Sequence, residues 1–484
     1  MKETEKKTTL KKSVFSGLVW SFGERITAQM VSFIVSIVLA RFLLPREYGI
    51  IAMVLVFINI ANVFTNGGFG EALVQKKDSD LVDFSTVFYC TLMVSMIVYI
   101  ILFVTAPFIA KFYKTNEIIW VLRILGLKII ISAVSTIQHA YVQKNMIFKK
   151  FFFSTLGGTL VSGIIGIIMA VNGCGVWSLV VQYLSNTIID MLVLFVTVPW
   201  RPRAIFSKES AIELMNFGWK LVAANLVNSI YNELRSLFIG KVYNSADLAF
   251  YNRGNQIPSL AITNIDTAIA NVMFPAMASA SSKEQLKTIG RRAMKTTSYI
   301  IFPLMIGLMI IAPSLIQVLL TDKWSGAVIF MQILCVYWMT QPIQTTNWQI
   351  IKALGRSDIC LKLEVIKKII GIGLIIISLP ISVEAVAYSA AMFGIISMFI
   401  NIAPNKKLVN YSFIEQFEDI LPALISSVSM GAVVYLISLL GLSQIITLLI
   451  QIMSGIVVYL FISWIFKLEA FYYLLSIIST KIRS

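Results

Sequence analysis

About fourteen apolar stretches, each about 20 residues long, follow one another along this chain with short polar interruptions. A helix of that length spans about 30 Å, the hydrocarbon thickness of a bilayer. Hydrophobic residues fill 58% of the 484 positions and charged ones 13%, so most segments lack the polar face that a water-soluble helix needs. Segments such as 161–170, 369–379 and 445–466 are too continuously apolar for loops or half-exposed strands. Helices, not a barrel, fit that pattern, and the fold class expected is all-α integral membrane with about 14 transmembrane helices.

The opening MKETEKKTTLKK is basic and polar, and the long apolar run behind it holds Glu24 and Arg25, which argues against a cleaved signal peptide. Cys90, Cys174, Cys335 and Cys360 lie in or beside apolar segments without CxxC spacing, so neither a disulfide framework nor a zinc site is indicated. The formal charge of +16 would suit nucleic acid, but the Lys and Arg residues sit in short loops between spans. Orientation is the better reading. With the N-terminus inside, about 26 basic residues lie on the inner side, in 76–77, 144–150, 201–208, 283–295, 352–362, 406–407 and the tail, and about 6 outside. Both termini are then cytoplasmic, which requires an even number of spans.

The expected organisation is a basic N-terminus (1–13), a first lobe (14–200), a cytoplasmic linker (201–211), a second lobe (212–404), two further spans with their preceding loop (405–466) and a cytoplasmic amphipathic tail (467–484). Spans are expected at 14–40, 48–66, 84–106, 118–138, 152–171 and 176–198, then at 212–239, 248–274, 294–319, 326–350, 362–380 and 384–402, and finally at about 420–440 and 443–465. The two lobes read as duplicates. ARFLLPREYGIIAM from Ala40 aligns with GKVYNSADLAFYNR from Gly240, setting Arg41 against Lys241 and Glu47 against Asp247. The Ala106–Pro107 pair closing the third span recurs as Ala312–Pro313 closing the ninth, and GVWSLVVQY from Gly175 echoes SVEAVAYSA from Ser382. Two six-helix copies entering the membrane in one orientation imply a pseudo-two-fold axis along its normal, an arrangement that usually encloses the substrate path. Residues 76–84, 281–293 and 467–483 mix charge with apolar residues as interfacial helices do, and would face anionic headgroups.

Polar residues inside the spans fall into stripes. In the first, Ser21, Arg25, Gln29, Ser32 and Ser36 share a helical face, and a mid-membrane arginine needs a cavity, a counter-charge or a ligand. Glu24 is turned away by about 100 degrees. The second span supplies Asn59, Asn62 and Asn66; the seventh Asn225, Asn228, Ser229, Asn232, Arg235 and Ser236; the eighth Asn252, Gln256, Ser259, Thr263, Asp266 and Thr267. These faces either share a cavity or hydrogen-bond between helices in a closed bundle. Lys128, Ser132, Ser135 and His139 share a face of the fourth span, and Gln182, Asn186 and Asp190 line the sixth. His139 has neither a second histidine nor a carboxylate at ligand spacing, so a proton relay suits it better than a metal. Residues 340–347 make half of the tenth span polar, and Pro342 is expected to kink it, either to line a site or to aid packing. The run Gly157, Gly158, Ser162, Gly163 and Gly166 permits close helix contact.

No P-loop, HExxH, GxSxG or acidic cluster in a soluble loop is present, and no loop is long enough for a catalytic domain. A transporter, not an enzyme, is expected. Several segments together carry a resemblance: ARFLLPREYG after the first span, GGFGEALVQKKD after the second, APFIAKFY after the third, FPLMIGLMIIAPSLIQVLL in the ninth and KALGRSD after the tenth. In order and spacing they resemble the Wzx-type polysaccharide flippases (O-antigen, colanic acid, capsule) of the multidrug/oligosaccharidyl-lipid/polysaccharide exporter superfamily, over about residues 12–405.

The resemblance implies a MATE-like fold of two six-helix lobes around a cavity. It also implies alternating-access translocation of an undecaprenyl-diphosphate-linked oligosaccharide across the bacterial cytoplasmic (inner) membrane. A polysaccharide polymerase and a chain-length regulator would be protein partners, with membrane lipids around the chain and no nucleic acid. Family members use cations in the first and eighth spans for the diphosphate, positions held here by Arg25 and Arg253; Lys128 and Arg235 are further cavity cations. Gln29, Asn59, Asn62, Asn225, Asn228, Asn232 and Gln256 would contact sugar, and Glu24, Asp190 and Asp266 are candidates for coupling to a H+ or Na+ gradient. No cofactor or metal is implied. The alternatives are a cation-coupled multidrug exporter on the same fold and, less favoured, a membrane glycan polymerase or ligase, which would need a large outer loop.

Overall fold

The computed structural model describes Gly23 and residues 26–66, 68–76 and 78–483, and those residues form helices and no strand. In chain order they are α1 (Ile26–Phe42), α2 (Pro45–Asn66), the short α3 (Phe69–Gln75), α4 (Leu81–Tyr113), α5 (Ile118–Leu125), α6 (Leu127–Lys144), α7 (Lys149–Val171), α8 (Val176–Thr197) and α9 (Lys208–Val242). Then come α10 (Ser245–Ala278), α11 (Lys283–Leu320), α12 (Ala327–Met339), α13 (Gln341–Ala353), α14 (Ser357–Ser378), α15 (Val383–Val409), α16 (Phe413–Ser438), α17 (Gln444–Ile465) and α18 (Glu469–Arg483). With α2–α3, α5–α6 and α12–α13 each taken as one span, eleven are long and apolar enough to cross a membrane. Helices α1, α9 and α14 occupy the three other expected places, giving fourteen. Large apolar side chains such as Phe108, Val196, Ile377 and Phe466 point outward, as lipid contact requires of a multi-pass membrane protein.

Packing divides the chain into two compact units, Met1–Leu248 and Ala249–Ser484. Within the first, α9 packs on α2 and α4, and α7 on α8. The last pair is held close by small residues. A Cβ on Gly158 would lie 3.1 Å from the Asn186 carbonyl oxygen, and one on Gly166 2.9 Å from Gln182 Cβ, whereas one on Gly157 meets nothing within 4 Å.

The expected duplication is visible at its best-matched junction. Helix α1 stops at Phe42 and α2 starts at Pro45; α9 stops at Val242 and α10 starts at Ser245. At each junction the aligned acid hydrogen-bonds the residue three positions before it, and at α10 that residue, Asn244, caps the helix. Glu47 Oε2 accepts from the Leu44 amide at 2.7 Å, while Asp247 Oδ2 accepts from Asn244 Nδ2 at 2.7 Å and its amide donates to Asn244 Oδ1 at 2.9 Å. The fourth and tenth spans are both two-piece helices. The second of these breaks at Thr340, two residues before Pro342, where a kink is expected. The break in the fourth span, at Gly126, carries no comparable sequence signal.

Two expectations need correction. The Ala106–Pro107 and Ala312–Pro313 pairs do not end their helices, since α4 runs on to Tyr113 and α11 to Leu320. Proline removes one donor, but ending a helix there would strand several carbonyls in hydrocarbon, so the helix continues. Nor do 76–84 and 281–293 form separate interfacial helices. Asp80 and Ser282 cap α4 and α11 directly, which makes the charged segment 283–293 the first turns of a spanning helix.

That charged segment finds its partners on α16, on α18 and at Tyr411 just before α16. Arg291 Nε and Nη2 donate to the two oxygens of Asp419 at 2.8 and 2.7 Å, and the Tyr411 hydroxyl donates to the same carboxylate at 2.8 Å. Lys287 pairs with Glu415 at 2.6 Å and Lys295 with Glu469 at 2.6 Å, so three cations at four-residue steps on α11 fasten α16 and α18. Deeper in this unit, Asn347 Nδ2 donates to Gln416 Oε1 at 2.8 Å, and Asn347 Oδ1 accepts from Asn405 and Gln416 at 2.6 and 3.0 Å. At Asn347, then, the polar half of the tenth span serves packing.

In the first unit, Lys76 joins α4 to α9 by pairing with Asp83 at 3.1 Å and Glu213 at 2.8 Å. The hydrogen bond to Glu213 raises its ammonium above the ordinary lysine value against a smaller opposing effect of burial.

Two stability contrasts follow from this packing. Asp419→Ala leaves a tyrosine hydroxyl and a half-exposed guanidinium without their acceptor and should cost about 2 kcal/mol, below the 3–5 of a fully buried pair. Glu469→Gln, at an exposed acid, should cost under about 1 kcal/mol; thermal melting of the detergent-solubilised protein reads both. Gly166→Leu should lower the melting temperature through about 1–3 kcal/mol of overpacking, while Gly157→Ala should leave it unchanged or raise it.

Candidate substrate cavity

Helix α6 places Lys128, Ser132, Ser135, Thr136, His139 and Gln143 on one face at steps of one, three and four residues. That face opens onto a cavity of about 500 Å³ inside the first unit, walled by these residues with Asn66 of α2, Glu71 of α3, Thr155 of α7 and Asn186 and Asp190 of α8. From Lys128 to Gln143 the face is about 22 Å long at 1.5 Å per residue. Lys128 lies ten residues from the start of the span 118–144 and sixteen from its end, near its middle.

The walls are fastened by side chains that would otherwise be costly in lipid. Asp190 accepts from the Ser154 hydroxyl and faces His139 Nε2 at 3.2 Å, with the Phe151 ring tilted against the imidazole at 4.9 Å between centroids. Thr136 donates to Asn66 Oδ1 at 2.7 Å, and Asn186 Nδ2 reaches Ser162 Oγ at 3.4 Å. Lys128 has no carboxylate at ion-pair distance among the described residues; its Nζ sits 5.4 Å from the centre of the Tyr183 ring. A mid-span ammonium thus faces a polar cavity with an aromatic face behind it, which suits an anion better than a neutral apolar ligand.

The structure gathers some of the expected site residues and disperses others. Lys128 and Asp190 line this cavity together. Arg25 and Glu24 lie outside the described residues, and Gln29 is half-buried on α1. Arg235 and Asn225 are half-buried on α9, while Asn228 and Asn232 are exposed; none is among the lining residues. Asn59 hydrogen-bonds Glu233 across α2 and α9 at 2.9 Å, and Asn62 Oδ1 is buried without a hydrogen-bond partner among the described residues. In the second unit Arg253 is 7% exposed, donates to Gln256 at 2.5 Å and lies 5.2 Å from the Trp324 ring centre. Asp266 accepts from Thr345 at 2.8 Å.

Glu71 and Glu233 are the functional candidates that reading the residues passed over. Glu71 falls past residue 66, where the second span is expected to end, so a charge there looks like ordinary loop polarity. Glu233 did carry a signal, because it falls four residues after Ser229 and three before Ser236 on the polar face of α9.

Comparison with known proteins agrees with this architecture. A teichuronic acid biosynthesis protein of Bacillus subtilis (strain 168), TuaB, is 22% identical over 94% of this chain and 96% of its own length. The lipopolysaccharide biosynthesis protein WzxC of Escherichia coli (strain K12) is 22% identical over 76% of each chain. Among solved structures, the lipid II flippase MurJ in an inward closed conformation superposes with a TM-score of 0.75 at 17% identity, covering 93% of this chain and 98% of that one, a likeness of fold. The family model described as "Polysaccharide biosynthesis protein" matches residues 38–329. That match spans more than half of the 484 residues, and this multi-pass membrane protein belongs to the polysaccharide biosynthesis protein family.

Proposed function

We propose that this protein is a flippase that carries an undecaprenyl-diphosphate-linked oligosaccharide across the bacterial cytoplasmic membrane by alternating access, with both termini cytoplasmic. The observation that carries this reading is Lys128, a mid-span cation on a polar cavity with no carboxylate at ion-pair distance among the described residues. A diphosphate is anionic and a glycan is dense in hydroxyls, so neither enters hydrocarbon unaided. An ammonium beside Ser132, Ser135, Asn66 and Asn186 offers charge and hydrogen bonds to replace water, while the isoprenoid tail stays in lipid. TuaB and WzxC, proteins of teichuronic acid and lipopolysaccharide biosynthesis, support a role in surface polysaccharide assembly. MurJ, a lipid II flippase of the same fold, supports lipid-linked translocation.

Coupling to a proton gradient is assigned to Asp190 with His139, because these two meet at 3.2 Å on the cavity wall. Protonation of this pair would change the cavity's charge opposite Lys128. The rival reading is a cation-coupled drug exporter, favoured by the two acids Glu71 and Asp190 on the same wall.

Vesicles holding the purified protein and a labelled lipid-diphosphate oligosaccharide test the proposal. Lys128→Ala should slow translocation about tenfold, the equivalent of ~1.4 kcal/mol, with Lys128→Arg largely restoring it. Asp190→Asn should abolish acceleration by an imposed pH gradient while leaving the slow ungated rate. Wild-type movement of a cationic dye with no movement of glycolipid would replace this reading by the exporter. An unimpaired Arg25→Ala, Arg253→Ala double variant would remove those arginines from the mechanism.

A further inference from the structure

Within the second unit, helices α10, α11 and α18 border a separate, open cavity of about 540 Å³ that the proposed transport cycle does not use. Its floor is apolar, built from Ile269, Met273, Ile289 and Ala293, and at its edge Arg292 stacks on Tyr473 of α18 with 5.2 Å from Cζ to the ring centre. Arg292 stands out among the cations of its segment. Lys287, Arg291 and Lys295 are each tied to a carboxylate, whereas Arg292, on the next face of α11, has no carboxylate at ion-pair distance among the described residues. The wall threonines spend their hydroxyls on the helix backbone: Thr288 donates to the Glu284 carbonyl and Thr296 to the Arg292 carbonyl.

We propose that this cavity binds one anionic phospholipid. Its phosphodiester lies on the Arg292 guanidinium, which matches phosphate geometry with two parallel donors, and an acyl chain fills the apolar space behind it. An apolar chamber opening beside an unpaired guanidinium fits an amphiphile with a negative headgroup. A free anion would leave the chamber unfilled, and a zwitterionic lipid would bring its own cation to Arg292. Because Tyr473 forms the opposite wall, the bound lipid also holds α18 against the bundle. This inference is independent of the transported substrate.

The test uses the full chain in detergent, with melting temperature and native mass spectrometry as readouts. Phosphatidylglycerol should raise the melting temperature and remain bound as a single retained molecule; phosphatidylcholine and inorganic phosphate should do neither. Arg292→Gln, at an exposed position, should weaken phosphatidylglycerol retention about tenfold, as should Ala293→Phe, which fills the chamber and keeps the charge. Lys208→Gln, which removes an equal charge from an exposed site elsewhere, should change nothing. Equal stabilisation by phosphatidylcholine, retention unaffected by Arg292→Gln, or stabilisation by phosphate alone would each overturn the proposal.

Discussion

Water is missing from the hydrocarbon core of a bilayer, so every polar group carried into it must be paired within the protein or open onto a hydrated space. The two units of this chain meet that demand in different ways. In Ala249–Ser484, Asn347, Gln416 and Asn405 close on one another, and Arg291, Tyr411 and Asp419 do the same. In Met1–Leu248, the polar face of α6 is left looking into a cavity. Such hydrogen-bonded networks fix helices in place, while an open polar face is a surface at which a ligand can substitute for water. The candidate site is therefore where the pairing rule is relaxed.

That open face exists because of what happens behind it. Gly158 and Gly166 let α7 and α8 approach until Ser154 reaches Asp190 and Asn186 comes within reach of Ser162. A glycine run that reads as mere packing thus sets the position of the carboxylate facing His139. Volume and polarity are coupled here: a larger side chain on α7 would push Asp190 away from the imidazole without touching either group.

Much of the fold was legible because the membrane imposes it. Runs of about 20 apolar residues locate the spans, and the junctions at Pro45 and Ser245 reproduce the 200-residue offset read from Glu47 and Asp247. Helix ends were less legible, because proline weighs less in lipid than in water: α4 and α11 run through Pro107 and Pro313. Of the candidate site, the stripe Lys128, Ser132, Ser135, His139 on the fourth span and the set Gln182, Asn186, Asp190 on the sixth were each read from helical periodicity, but not that they face one another. What periodicity lacks is the identity of the facing helix. Asn59 and Asn62 have the same spacing as lining residues, yet Asn59 spends its amide on Glu233. Arg253 likewise reads as an open cation but is held dry against Trp324.

The formal charge of +16 illustrates the same limit. Counted as a sum, it suggests that the whole molecule attracts anions; traced residue by residue, much of the charge on α11 is cancelled locally by Glu415, Asp419 and Glu469. Loop lysines exposed to water set orientation and contribute little binding, since solvent and salt screen them. Lys128 and Arg292 differ from those lysines in having a cavity beside each, with low dielectric behind the charge and no carboxylate at ion-pair distance among the described residues. An anion reaching Lys128 exchanges water for a partner inside the span whose field is less screened than that of a loop lysine. Lys128 and Arg292 thus stand apart from the other cations by the cavity beside each, and that cavity decides what kind of anion fits. Lys128 faces hydroxyls and amides suited to a sugar diphosphate, and Arg292 an apolar chamber suited to an acyl chain.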